Sequence, residues 1–249
     1  MPGNFIRPPL RFFTLIVGLF ISFDAFSLNN QYDFGSGLLK DPLYLLFFLI
    51  IISLLPVIAI VITSFTKIIV VLSITRQALG LAQTPPNIVI TSLAILLTCF
   101  AMYPVFEDIS NNSDIPALIK QGGHEAIFSL AKIVDNPIRE FLKSHTQEKN
   151  KSLFLDIINK GSKEPENVIL PDDYIILAPA FLISELSSAF QIGFIIYLPF
   201  LVVDMTVANL LMALGMQMLS PTTISLPFKI LLFVLVDGWR LIAEGLVNH

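Results

Sequence analysis

Residues 179–219 read PAFLISELSSAFQIGFIIYLPFLVVDMTVANLLMALGMQML, and the whole stretch carries two charges, Glu185 and Asp204. The apolar run begins earlier, near Tyr174. It has the length and apolar character of a membrane-associated helix, not of a soluble strand or loop. Three further blocks share that character: Leu43 to Thr63, Ile88 to Phe106, and Ile224 to Val247. Together they predict an all-α chain of membrane-associated helical hairpins.

Composition agrees. The chain has 249 residues, of which 55% are hydrophobic and 14% charged, and its mean hydropathy is +0.78. Soluble domains are about a quarter charged. Of the 34 charged residues (15 basic, 19 acidic), 20 lie between Glu107 and Asp173, eight basic and twelve acidic. Apolar helices are therefore interrupted by one polar segment. The net charge of −4 provides no basic surface, so no nucleic acid partner is expected. Cys99 is the single cysteine and reads as a small hydrophobe. His124, His145 and His249 lack metal-ligand spacing, and His124-Glu125-Ala126 is not a zinc-protease motif. With no phosphate-binding, dinucleotide, redox or nucleophile-elbow motif, no metal, cofactor or catalytic residue is expected, and the chain reads as a non-enzyme.

The amino terminus has the order of a targeting signal. Arg7 and Arg11 precede FFTLIVGLFISF, and Ala25-Phe26-Ser27 places small residues for cleavage after Ser27, with an uncleaved anchor as the alternative. Export of this end implies a bacterial inner membrane. The expected organisation is a signal over 1–27, a short segment over 28–42, a first apolar pair over 43–106, a polar segment over 107–174 and apolar helices over 175–249. In FTKIIVVLSITRQALGLAQTPPN the only charges are Lys67 and Arg76. The positive-inside rule puts that connection in the cytoplasm and the polar segment on the periplasmic side. Within the polar segment Ile127, Leu130, Ala131, Val134, Ile138, Phe141 and Leu142 recur at helical spacing. They predict two amphipathic helices broken near Pro137, packed on their own protein or forming a docking surface. GSKEPENVILPDD reads as a turn-rich connection.

Glu185, Asp204, Lys229, Asp237 and Arg240 interrupt the last two blocks. A charge at mid-bilayer costs about 2.5–3.5 kcal/mol on insertion scales, so these groups must pair, face water or line a protein interior. Glu185 with Lys229 is the expected pair, as a structural bridge or a gating element. Pro56, Pro104, Pro179, Pro199, Pro221 and Pro227 lie in or beside the blocks and predict kinked or broken helices.

MALGMQMLSP, residues 212–221, holds three of the six methionines. Met212 and Met216 are four apart and predict one helical face, with Met218 near the helix end. Gly215 permits a bend and Pro221 stops the helix. Flexible thioethers either fill gaps in a core or, repeated about a symmetry axis, form a compressible seal with Gln217 among them.

PLYLLFFLIIISLLP, TSFTKIIVVLSITRQALGLAQTPPN, the opening stretch and SLPFKILLFVLVDGW resemble the FliP/SctR family over roughly residues 41–247. The resemblance implies a pore-forming core subunit of a type III protein export gate, passing unfolded proteins across the inner membrane. The length and signal are more similar to the flagellar branch, in the basal body, than to the virulence injectisome. It implies a pentamer in an oligomeric ring or helical pore complex, assembled with FliQ and FliR and wrapped by FlhB, with membrane lipid around it. It also implies that Met216 and Met218, one turn after Met212, form a gasket. Gln217 stands where the family commonly has a third methionine. Glu185, Asp204 and Lys229 match charged positions of the family motif. A different class of reading, an ion-coupled small-solute transporter using Glu185 or Asp204, calls for inverted repeats; none is evident.

Overall fold

A computed structural model of the chain describes residues 42–81, 83–111, 115, 123–161, 170–216 and 218–247. The expected signal and the segment that follows it lie outside these residues, apart from Pro42, as do Gln217, His249 and most of the GSKEPENVILPDD connection.

The described residues are helical, with no strand among them. In chain order they form α1 (Pro42–Ile62), α2 (Phe65–Ala78), α3 (Asn87–Ala101), α4 (Tyr103–Ser110), α5 (Gly123–His145), α6 (Glu148–Gly161), α7 (Tyr174–Ala213), α8 (Pro221–Leu235) and α9 (Gly238–Val247). The chain divides into two units between Leu54 and Leu55. In the first, the helical residues Leu46, Leu49, Ile50 and Leu54 are exposed.

The second unit has two apolar cores, and α7 runs through both. In one, Ile68, Val71 and Leu72 of α2 meet Ala94 of α3, Ala189 and Phe200 of α7, Phe233 of α8, and Ile242 and Leu246 of α9. In the other, Phe181 of α7 packs with Met102, Val105, Phe141 and Leu142. Close approach of α2 and α7 depends on Gly193. A Cβ there would stand 2.5 Å from Ile74 Cδ1 and 3.2 Å from Ile74 Cβ.

The helices are bent and broken as the prolines predict, but not at every proline. Pro179 and Pro199 lie inside α7, Pro227 inside α8, and Pro137 inside α5. The expected break near Pro137 is thus replaced by one helix running to His145. A proline removes its own N–H bond and crowds the carbonyl four residues back; Phe141 and Leu142 beyond it are buried in the second core and hold the helix in place. Pro104 and Pro221 occupy first turns, where the missing donor has no partner to lose. Two bends are sharp, one of them immediately before Pro104. The Pro56–Ile62 segment meets α2 at 82° and α3 meets α4 at 49°. At the first bend Thr63 Oγ1 donates to the Ala59 carbonyl and Thr66 Oγ1 to that of Ile60. Between α8 and α9, Asp237 takes a left-handed φ of 51°, a conformation Asp tolerates better than most residues.

The polar segment folds as α5 and α6 against the start of α7. At their turn Asn150 Nδ2 and the Gln147 amide donate to Ser184 Oγ at 2.7 and 3.0 Å. Asp172 accepts from Lys143 at 2.8 Å and Lys151 at 3.0 Å. These two hydrogen-bonded ammonium groups hold its carboxyl below the usual carboxylate range. Arg139 Nη1 donates to the Asp172 carbonyl, and its guanidinium lies 4.6 Å from the Tyr174 ring centroid.

Candidate functional site

One buried ion pair, one largely buried ion pair and an exposed methionine turn are strung along α7. Glu185 and Asp204 are nineteen residues apart on that helix, about 28 Å at 1.5 Å per residue. Each takes a different lysine. Lys67 of α2 lies 3.5 Å from Glu185 Oε1, with the two side chains 4% and 3% exposed. Glu185 Oε2 has no hydrogen-bond partner. Lys229 of α8 donates to Asp204 Oδ2 at 2.5 Å and to the Ala78 carbonyl at 3.2 Å. Ser225, one helical turn before Lys229, donates to Asp204 Oδ1. The Ala78 carbonyl ends α2, so Lys229 also sits at the negative pole of that helix.

The expected Glu185–Lys229 pair is therefore corrected. Helix α2 lies along α7 and presents Lys67 at one end and a terminal carbonyl at the other, and each acid takes the cation at its own level. Sequence reasoning missed Lys67 because it lies in a connection between apolar blocks. It missed Glu244 as well, though that residue is four positions from Arg240 and bridges to it at 2.9 Å. Both side chains of that bridge are more than half exposed, a setting in which ion pairs contribute little. Asp237 and Arg240 are exposed, so only Glu185, Asp204 and Lys229 of the five expected charges are shielded within this chain.

The methionine turn is built by backbone chemistry. Helix α7 ends in a Schellman motif: the Gly215 amide donates to the Met212 carbonyl at 3.0 Å and the Met216 amide to that of Leu211 at 2.9 Å. Gly215 supplies the left-handed residue, with φ of 73°, and Pro221 opens α8. Because the helix stops at Ala213, Met212 and Met216 do not share a helical face as expected. Met212, Met216 and Met218 are 60%, 49% and 100% exposed, which takes all three out of this chain's own core.

By length and composition α7 is long and apolar enough to cross a membrane, and up to three spans are counted among the described residues if each bent helix pair is one.

The FliP family model matches residues 48–246. The chain is 44% identical over 217 residues to the flagellar biosynthetic protein FliP of Aquifex aeolicus, covering 86% of this chain and 88% of that one. It is 44% identical over 200 residues to the hypersensitivity response secretion protein HrcR of Ralstonia nicotianae, covering 79% and 92%. Against Yop proteins translocation protein R of Yersinia pestis the identity is 43% over 216 residues, covering 84% and 96%.

Proposed function

This chain belongs to the FliP family, and on that premise we propose that it is the pore-forming core subunit of the flagellar type III protein export gate. It passes unfolded flagellar proteins across the bacterial inner membrane at the basal body, with portions facing the periplasm. It works as a pentamer with FliQ and FliR, FlhB wrapping the assembly, and catalyses no reaction. Met212, Met216 and Met218 with Gln217 line the closed passage, on a turn shaped by Gly215 and Pro221. The buried charges brace the frame.

One observation carries the assembly. Helix α7 has 40 residues, about 60 Å at 1.5 Å per residue. The hydrocarbon slab is about 30 Å thick, and even a 40° tilt accommodates only about 39 Å of helix. Yet large apolar side chains are exposed from one end to the other: Ile175, Ile183, Phe190, Phe194, Val202 and Leu210. Some 20 Å of apolar helix is left over, and protein must cover it. Neighbouring subunits do so in a gate; a solitary transporter subunit has no such cover.

Deleting the gene tests the use. Loss of filaments with intact virulence secretion supports the flagellar reading. Intact filaments with lost effector secretion overturn it in favour of the injectisome, a second reading that relatives named for secretion, at 43–44% identity, keep in play.

A further inference from the structure

Between α3 and the α8–α9 corner lies an open groove of about 570 Å³, lined among others by Leu81, Pro85, Val89, Leu93, Phe233 and Trp239. That volume falls within the usual range for small-molecule sites. No charged or amide side chain lines it. Its rim is different. Arg76 Nη1 donates to the carbonyl of Pro85, itself a wall of the groove, at 3.3 Å, and to Asn87 Oδ1. Both bonds use the same nitrogen. Among the described residues no carboxylate lies within ion-pair distance of Arg76, and Nε and Nη2 have no acceptor. A guanidinium has five donors in a planar fork suited to phosphate. Trp239 is 39% exposed and stands edge-on to Phe233 at 5.2 Å. An indole half in apolar surroundings is the side chain favoured at the level of lipid headgroups.

We propose that this groove is an anionic phospholipid site, one acyl chain lying along Val89, Leu93 and Phe233 while the phosphate bridges the unused Arg76 donors. Charge complementarity selects the occupant. An apolar groove takes any alkyl chain, but a tethered cation beside it favours a lipid of net negative charge over a zwitterionic one. The site does not depend on what the chain exports.

The test uses the full-length chain, purified in its membrane assembly and placed in nanodiscs. The nanodiscs contain phosphatidylglycerol or phosphatidylethanolamine carrying a photoreactive diazirine on the acyl chain. Mass spectrometry should map phosphatidylglycerol crosslinks to Val89, Leu93 and Phe233, well above those of phosphatidylethanolamine. Arg76→Gln should lower phosphatidylglycerol labelling about fivefold, the factor one surface cation contributes, and leave the other lipid unchanged. Val89→Trp should fill the groove and lower both. Equal labelling by the two lipids in the unaltered protein overturns the proposal without recourse to any variant. So does unlabelled groove with Val89→Cys crosslinking to a neighbouring subunit, which assigns the face to a protein interface.

Discussion

Removing one member of the Lys67–Glu185 pair should cost far more than removing both. At 3.5 Å, two unit charges attract by about 5 kcal/mol at an effective dielectric constant near 20. Burial opposes that gain, because each ion gives up several kcal/mol of hydration. Glu185 recovers little of it elsewhere, since Oε2 accepts no hydrogen bond. The pair therefore contributes little net stability, yet either charge alone would be stranded. Lys67→Met and Glu185→Met should each destabilise by about 3–5 kcal/mol. The double variant should lose less than either single change, so the two effects are strongly non-additive. Thermal unfolding of the detergent-purified chain measures the cycle, and immunoblots of membrane fractions report assembly. Charge reversal adds a second arm. Lys67→Glu should rescue Glu185→Lys, whereas Lys229→Glu should not, because Lys229 is held at the level of Asp204. Additivity of the singles within about 0.5 kcal/mol, or rescue by Lys229→Glu, would refute the assignment.

Four further outcomes are expected. Asp172 has a folded pKa below its ordinary value of about 3.9, so its clasp is fully present above that pH and is lost as pH falls through the lower folded value. Asp172→Asn should thus lower the melting temperature at pH 7, and its deficit should shrink as the pH is taken down through and below the lowered folded value; a deficit that stays constant with falling pH would discard the clasp. Gly215 has φ of 73° with nothing within 4 Å of a built Cβ, so Gly215→Ala should cost about 1–2 kcal/mol of backbone strain alone and Gly215→Asn less. Equal melting for the two would mean the turn is not left-handed. Gly193→Ala should cost about 1–3 kcal/mol by forcing Ile74 aside, and Ile74→Ala should recover part of it; no recovery would place the strain elsewhere. Met216→Ala with Met218→Ala should raise resting ion leakage across vesicles while export continues, and unchanged conductance would count against the seal.

How much of this the sequence carried depended on the range of the interaction. Leu43–Thr63 and Tyr174 as block limits agree with Pro42–Ile62 and the start of α7 within a residue, because an apolar run is a local property. The end of α7 was placed too late, near Met218 and Pro221, because Gly215 was read as a bend within the helix and not as its left-handed terminus. The helix break was misread at Pro137, since a proline's local cost of about 3 kcal/mol is set against packing that only the tertiary structure reveals. The ion pairs were misread for the same reason. Lys67 and Glu185 are 118 residues apart, and no periodicity relates them. Ser225 and Lys229 gave a usable signal, one turn apart on a helix otherwise apolar around them. Arg240 and Glu244 gave another.

The two ion pairs also confine where the methionine turn can move. Asp204 and Lys229 tie α7 to α8, the helices flanking the turn, and Ser225 reinforces the tie. Lys229 in turn reaches the end of α2, which Lys67 and Gly193 hold against α7 farther along. Splaying α7 from α8 at this level would break a largely buried charge pair and leave each member stranded, at about 3–5 kcal/mol per subunit. If copies of the chain ring a passage as proposed, each copy meets that cost again. Movement past the tie meets no such penalty. Beyond it the chain has exposed methionine side chains, each with three freely turning torsions, and a glycine that accepts either sign of φ. If the turn borders a conduit, widening is therefore a matter of rotamers and of residues 212–220, with the braced helices standing still behind them.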